Sequence, residues 1–171
     1  MKISAPFRIA SASALFVILL VLSTGCGGMN GTLIEPPQGE QGMGILKIYN
    51  GFSDDIVVKL YNVNDPTTAV RFVYISAKND VELEAIPVGN YMVRYSMGKE
   101  WDNASKMFSK DRANFETDQT FTFEEKESEI KTSDGIRKEK HYSIQTFILN
   151  SGGGDGNVST TQIDDDEFMD K

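Results

Sequence analysis

The chain has 171 residues, with 17 lysines and arginines against 25 aspartates and glutamates, one histidine and one cysteine. So acidic a chain is poorly suited to neutralise a phosphate backbone, which disfavours nucleic acid as a partner, and an anionic lipid surface would repel it. A lone cysteine excludes an internal disulfide, and a lone histidine excludes a metal site built from several imidazoles.

Residues 1–26 contain Lys2 and Arg8 but no acid, and the apolar run from Ile9 to Leu22 is interrupted only by Ser11 and Ser13. A basic start followed by a short apolar stretch predicts a signal peptide over residues 1–25. The run falls short of the roughly 20 apolar residues that a membrane-spanning helix needs. It ends in Ser23, Thr24, Gly25 and Cys26, which resemble the lipobox of bacterial lipoproteins, with the usual leucine standing one place early at Leu22.

The resemblance implies cleavage before Cys26, a diacylglycerol thioether on its sulfur and, in many bacteria, a further amide-linked acyl chain such as palmitate. Two or three chains are expected to hold the protein durably on a membrane, since one alone binds reversibly. Gly27 stands where lipoproteins kept at an inner membrane carry aspartate. The expected location is therefore extracytoplasmic, periplasmic or surface-exposed, on an outer membrane or, in a host with one membrane, on the cell membrane. Loss of Lys2 and Arg8 leaves 15 basic against 25 acidic residues, a balance of −10.

The remaining length suits a single domain. Residues 26–44 pair the lipidated cysteine with a glycine- and proline-rich stretch, read as a flexible tether with an edge strand at Leu33 and Ile34 as its alternative. From residue 45 to 163 the pattern is β: short runs of branched and aromatic residues separated by turn formers. Strands are expected at Ile45 to Tyr49, Ile56 to Val63, Ala69 to Ile75, Val81 to Ile86 and Tyr91 to Met97. The spacing of Ala104, Met107 and Phe108 predicts a helix over Asn103 to Arg112. Thr120 to Phe123 reads as a short strand, and Glu124 to Lys140, with six acids and five bases, as a solvated hairpin tip or loop. Tyr142 to Leu149 and Val158 to Ile163 close an all-β, antiparallel sandwich of about seven to eight strands. Residues 164–171 form an acidic tail in which Phe168 has the chemistry to dock.

The segment Ile86 to Gly98, IPVGNYMVRYSMG, resembles the Pro-x-Gly-x-Tyr hairpin of prealbumin-like sandwich domains, the transthyretin and carboxypeptidase-regulatory type. With NGFSDDIVVKL, FTFEE and GNVSTTQIDDDEF, the chain over residues 44 to 168 is similar to uncharacterised bacterial extracytoplasmic β domains. That resemblance implies a fold and no active site.

Candidate chemistry is sparse. His141 lacks a nucleophile motif beside it, so it reads as a surface histidine rather than a general base. Asp155 and Asp164 to Glu167 invite calcium, but consecutive acids lack the alternate spacing of a calcium loop. Trp101, with Tyr95 and Arg94, has the composition of a stacking platform for glycan or peptide, weighed against Trp101 as a cap on the core. The expectation is a non-enzymatic, lipid-anchored interaction or structural domain without cofactor or metal. Its partners would be the membrane, through Cys26, and another envelope protein or a glycan; a glycan- or peptide-binding module near Trp101 is the alternative.

Overall fold

The computed structural model describes residues 28–133, 135–150 and 156–169. The signal peptide and Cys26 lie outside them. Eleven strands and one short helix are present among the described residues: β1 (Gly44–Gly51), β2 (Asp55–Asn62), β3 (Asp65–Ile75), β4 (Asp80–Ile86), β5 (Gly89–Asp102), β6 (Met107–Thr117), β7 (Phe121–Phe123), β8 (Glu125–Thr132), β9 (Gly135–Tyr142), β10 (Ile144–Asn150), β11 (Thr160–Ile163) and α1 (Asp165–Phe168). The fold is the all-β sandwich that the sequence predicts. The short strand expected at Thr120 to Phe123 is β7, and the additional strands are β8 and β9 of the hairpin and β6, where a helix was expected.

The larger sheet runs β11-β6-β5-β2-β3 with β7 also pairing to β5, and the smaller runs β10-β1-β4. In β2 the residues Ile56 to Tyr61 are all buried. This near-continuous apolar run suits a strand lodged between β5 and β3 and covered on both faces. Its alternation sends Ile56, Val58 and Leu60 toward the smaller sheet, where they meet Leu46, Ile48, Leu83 and Phe147 in the main core. Val57 points the other way, into a second cluster with Phe72, Tyr74, Phe108 and Phe168 on the outer face of the larger sheet. The ladders are antiparallel except one: β10 pairs parallel to β1, with Ile45 beside Ile144 and Ile48 beside Phe147.

The expected helix over Asn103 to Arg112 is instead a turn followed by β6. Trp101 faces Phe108 and Asp102 faces Met107 across the β5–β6 ladder, so residues that a helix would gather on one side serve a strand pair. Asp102 closes the turn by accepting the backbone N–H of Ala104 at 2.9 Å and the Ser105 hydroxyl at 2.7 Å. Polar side chains that satisfy nearby backbone donors favour turns over helix interiors.

The segment expected as a free tether lies against β3 from Gly28 onward. Gly31 and Ile34 donate backbone N–H groups to the Tyr74 and Phe72 carbonyls, and Gln38 does so to Val70. Leu33 forms a bridge with Val73, while Met29 and Ile34 pack on the outer aromatic cluster. Buried Arg71 anchors the later part, donating to the carbonyls of Gln38, Val70, Glu84 and Ala85. Ala85 has φ of 55° beside a break in the β1–β4 register; such a bulge turns carbonyls away from the ladder, and Arg71 collects two of them. Burial pushes the pKa of that guanidinium down.

Candidate functional site

Trp101, Tyr95 and Arg94 all stand on β5 but do not form one platform. Tyr95 faces the inter-sheet core, 3% exposed, stacked on Phe115 with ring centroids 5.0 Å apart, and burial raises its phenol pKa. Arg94 is on the opposite face, where Nε meets Glu116 at 2.7 Å and the guanidinium lies 4.9 Å from the Tyr61 ring. The β5–β6 ladder shifts register between Met97 and Lys99, and Glu100 and Asp111 take positive φ. Beyond this irregularity Trp101 turns to the outer face and packs edge-on against Phe72, Tyr74 and Phe108. Gly98 permits the close approach, because a Cβ there would come within 2.7 Å of the Phe108 Cβ.

The acidic tail is organised. Asp164 caps α1 by accepting the Glu167 N–H at 2.8 Å, and Phe168 is fully buried. Lys59, itself nearly buried, donates to the Phe168 carbonyl at 2.9 Å and lies 4.8 Å from that ring. Arg112 and Asn114 engage Asp165; the bond from Arg112 is the main reason its pKa falls below the ordinary carboxylate value. The tail acids thus meet protein cations and backbone donors. Asp155 lies outside the described residues. Among the described residues no group of three or more His, Cys, Asp or Glu side chains is gathered to hold a metal ion.

A cleft of about 550 Å³ opens beside Phe52, Tyr95, Ile148 and Asn157. Among the described residues its lining contains no carboxylate, amine or imidazole, and none of those side chains is suited to move a proton near neutral pH. His141 is on β9, its Nε2 3.0 Å from the Ser128 hydroxyl, and among the described contacts no carboxylate orients its other ring nitrogen, as a serine–histidine pair needs for nucleophilic catalysis.

The surface that distinguishes this molecule is the β8–β9 hairpin, which forms a two-stranded sheet of its own. All of its residues except Ser128 and Glu139 are exposed, on both faces. Its apolar side chains are uncovered: Ile130 is 42% exposed and Ile136 64%. Along one face Glu127 stands opposite Lys140 and Glu129 opposite Lys138, with Lys138 Nζ 3.0 Å from Glu127. At its base Ser143 donates to the Glu124 carbonyl and Ile45 to the Ser143 carbonyl. Glu and Lys residues interspersed on either side of Gly135 were the sequence signal for this arm, whose charge content left it open between a solvated hairpin tip and a loop; the structure shows the hairpin.

The hairpin and the chain's first described residues stand at opposite ends of the sandwich. Asn30 donates to the Asp80 carbonyl and accepts from Ser76 N–H, at the end where Tyr49 of β1 pairs with Asp80. The hairpin base adjoins Ile45, at the other end of β1. From Tyr49 to Ile45, strand β1 separates them by about 13 Å, and an eight-residue hairpin extends roughly 25 Å further.

No family model, curated protein or solved structure matches the chain. Among the described residues no helix is long and apolar enough to cross a membrane.

Proposed function

We propose that this protein is a lipid-anchored envelope protein whose sandwich presents the β8–β9 hairpin to another envelope component, as a non-enzymatic interaction or structural domain. The observation that carries this reading is the hairpin itself. A two-stranded hairpin is marginal by itself in water, and this one packs no side chain into either hydrophobic cluster. Sixteen residues that add nothing to the core, yet display two uncovered isoleucines, suit contact with a partner. The anchor of this reading is Cys26, two residues before Gly28, so acylation would hold the Asn30 end of the sandwich near the bilayer and direct the hairpin away from it.

Two measurements test the proposal. Intact mass of membrane-extracted protein, wild type against Cys26→Ala, is expected to show a chain beginning at an acylated cysteine only in the wild type. A photo-crosslinking residue at Ile136 is expected to capture an envelope protein, whereas the same group at Glu82, on the exposed face of β4, captures none. An unmodified Cys26 removes the anchor from the proposal; equal capture from both positions removes the hairpin.

A further inference from the structure

The two edges of the hairpin differ in what they can pair with. Resting on the reading above, we propose that the free edge of β8 is a self-complementary docking strand, and that its occupant is the same edge of a second copy, antiparallel across a two-fold axis at Ile130.

The argument begins from strand geometry. Residues directly opposite in an antiparallel pair project to the same face, and successive residues alternate. A two-fold axis perpendicular to such a sheet therefore sets some residue against its own copy. Along β8, centring on Lys126, Glu127, Glu129 or Lys131 opposes a charge to itself, and centring on Ser128 sets Glu127 against Glu129. Centring on Ile130 avoids every such clash within β8. It places Ile130 on Ile130, Glu129 against Lys131 twice, and Ser128 against Thr132. Apolar and opposite-charge cross-strand pairs stabilise a ladder, and like charges directly opposite destabilise it.

The other edge does not share this property. In β9 every self-pairing register that overlaps more than three residues opposes Arg137, Lys138, Glu139 or Lys140 to its own copy. Joining β8 of one copy to β9 of the next in the antiparallel sense would point both hairpins the same way. Their sandwich bodies would then repeat every two strand spacings, about 10 Å, although the larger sheet alone sets five strands side by side over roughly 20 Å. The β8 pairing points the hairpins in opposite directions and leaves the bodies at the two ends of a four-stranded sheet. Among the described residues the edge is available: β8 pairs only with β9, and the Met43 N–H donates to the Glu125 side-chain carboxylate at the base, not to the backbone of the strand.

A contact of this size is small beside a standard protein interface, so the dimer is concentration-dependent and gains from confinement on a membrane. The test is sedimentation velocity of the full chain in detergent over a wide concentration range. Wild type is expected to dimerise. Glu129→Lys, which opposes lysine to lysine twice, and Lys131→Glu, which opposes glutamate to glutamate twice, should each weaken the dimer about tenfold or more. The double variant Glu129→Lys/Lys131→Glu restores the pairs in reverse and should restore the dimer. Every chain in the comparison, the reference included, carries Lys138→Gln, because Glu129 stands opposite Lys138 within the hairpin and a lysine at 129 would otherwise be repelled there. None of these changes touches the core, and circular dichroism should be unchanged throughout. A wild-type chain that stays monomeric at its solubility limit overturns the inference, as do single variants that dimerise like wild type. Capture of a different envelope protein from Ile136 with a monomeric chain would leave the proposed function standing and remove only this occupant.

Discussion

At the residue scale, several buried polar groups control how the sandwich is closed. Arg71 is 5% exposed and serves four carbonyls from three stretches of chain. Arg71→Met keeps much of the volume but strands these acceptors, and should cost about 3 kcal/mol in urea unfolding. Ser96 presents the opposite case: its hydroxyl is fully buried and has no hydrogen-bond partner. Ser96→Ala is therefore expected to raise stability by up to about 1 kcal/mol. Phe168 fills the outer cluster beside Lys59, and Phe168→Ala should cost about 3 kcal/mol, the lower end for such a truncation, because the four-residue α1 can peel away. Little of this was legible beforehand. Nothing in the sequence singles out Lys59 or Arg71, because only the aromatic neighbours and bulged carbonyls of the folded chain explain their burial.

At the scale of elements, α1 is held by charge as well as by packing. Asp165 has a folded pKa below its ordinary value of 3.8, chiefly through the bond from Arg112. A depressed carboxylate contributes stability that is present above its unfolded pKa and lost as pH falls through the folded one. The tail should accordingly loosen below the ordinary carboxylate range, seen as faster hydrogen exchange at residues 164–169 in acid, and Asp165→Asn should remove that dependence. The hairpin is expected to behave differently: Ile136→Asp should change unfolding free energy by less than about 0.5 kcal/mol, because nothing is buried there. Most strands were legible as alternating runs ended by Asn, Asp, Gly or Pro. The stretch from Asn103 to Phe108 was not, because a turn held by Asp102 followed by a strand happens to match helical spacing. Residues 28 to 44 were obscured differently: Met29, Leu33 and Ile34 are too few to announce an element and acquire meaning only against β3.

For the whole molecule, the arrangement is polar in the geometric sense. The first described residues lie at one end, the hairpin leaves from the other, and the core between them includes β10, which follows the hairpin in the chain. Composition and periodicity predicted a single β domain, yet the candidate site was recognised only after folding showed which charged run stands unsupported. Trp101, Tyr95 and Arg94 are adjacent in sequence but divided by the faces of β5, which a single sequence has no means of showing once a bulge changes the phase.

The parallel pairing of β10 with β1 also governs time. Their partners are roughly a hundred residues apart in the chain, so the smaller sheet closes late, and ladders between distant segments form slowly, on a scale of milliseconds to seconds. Until Phe147 and Leu149 arrive, one side of the core at Leu46 and Ile48 is open to water. A chain delivered amino end first would stay pliable until almost all of it had emerged. Refolding from denaturant should show this as a dominant slow phase that Phe147→Ala alters, whereas substitutions in β8 leave its rate unchanged. Under the proposed envelope location, such delay would suit a chain threaded through a membrane before it takes shape.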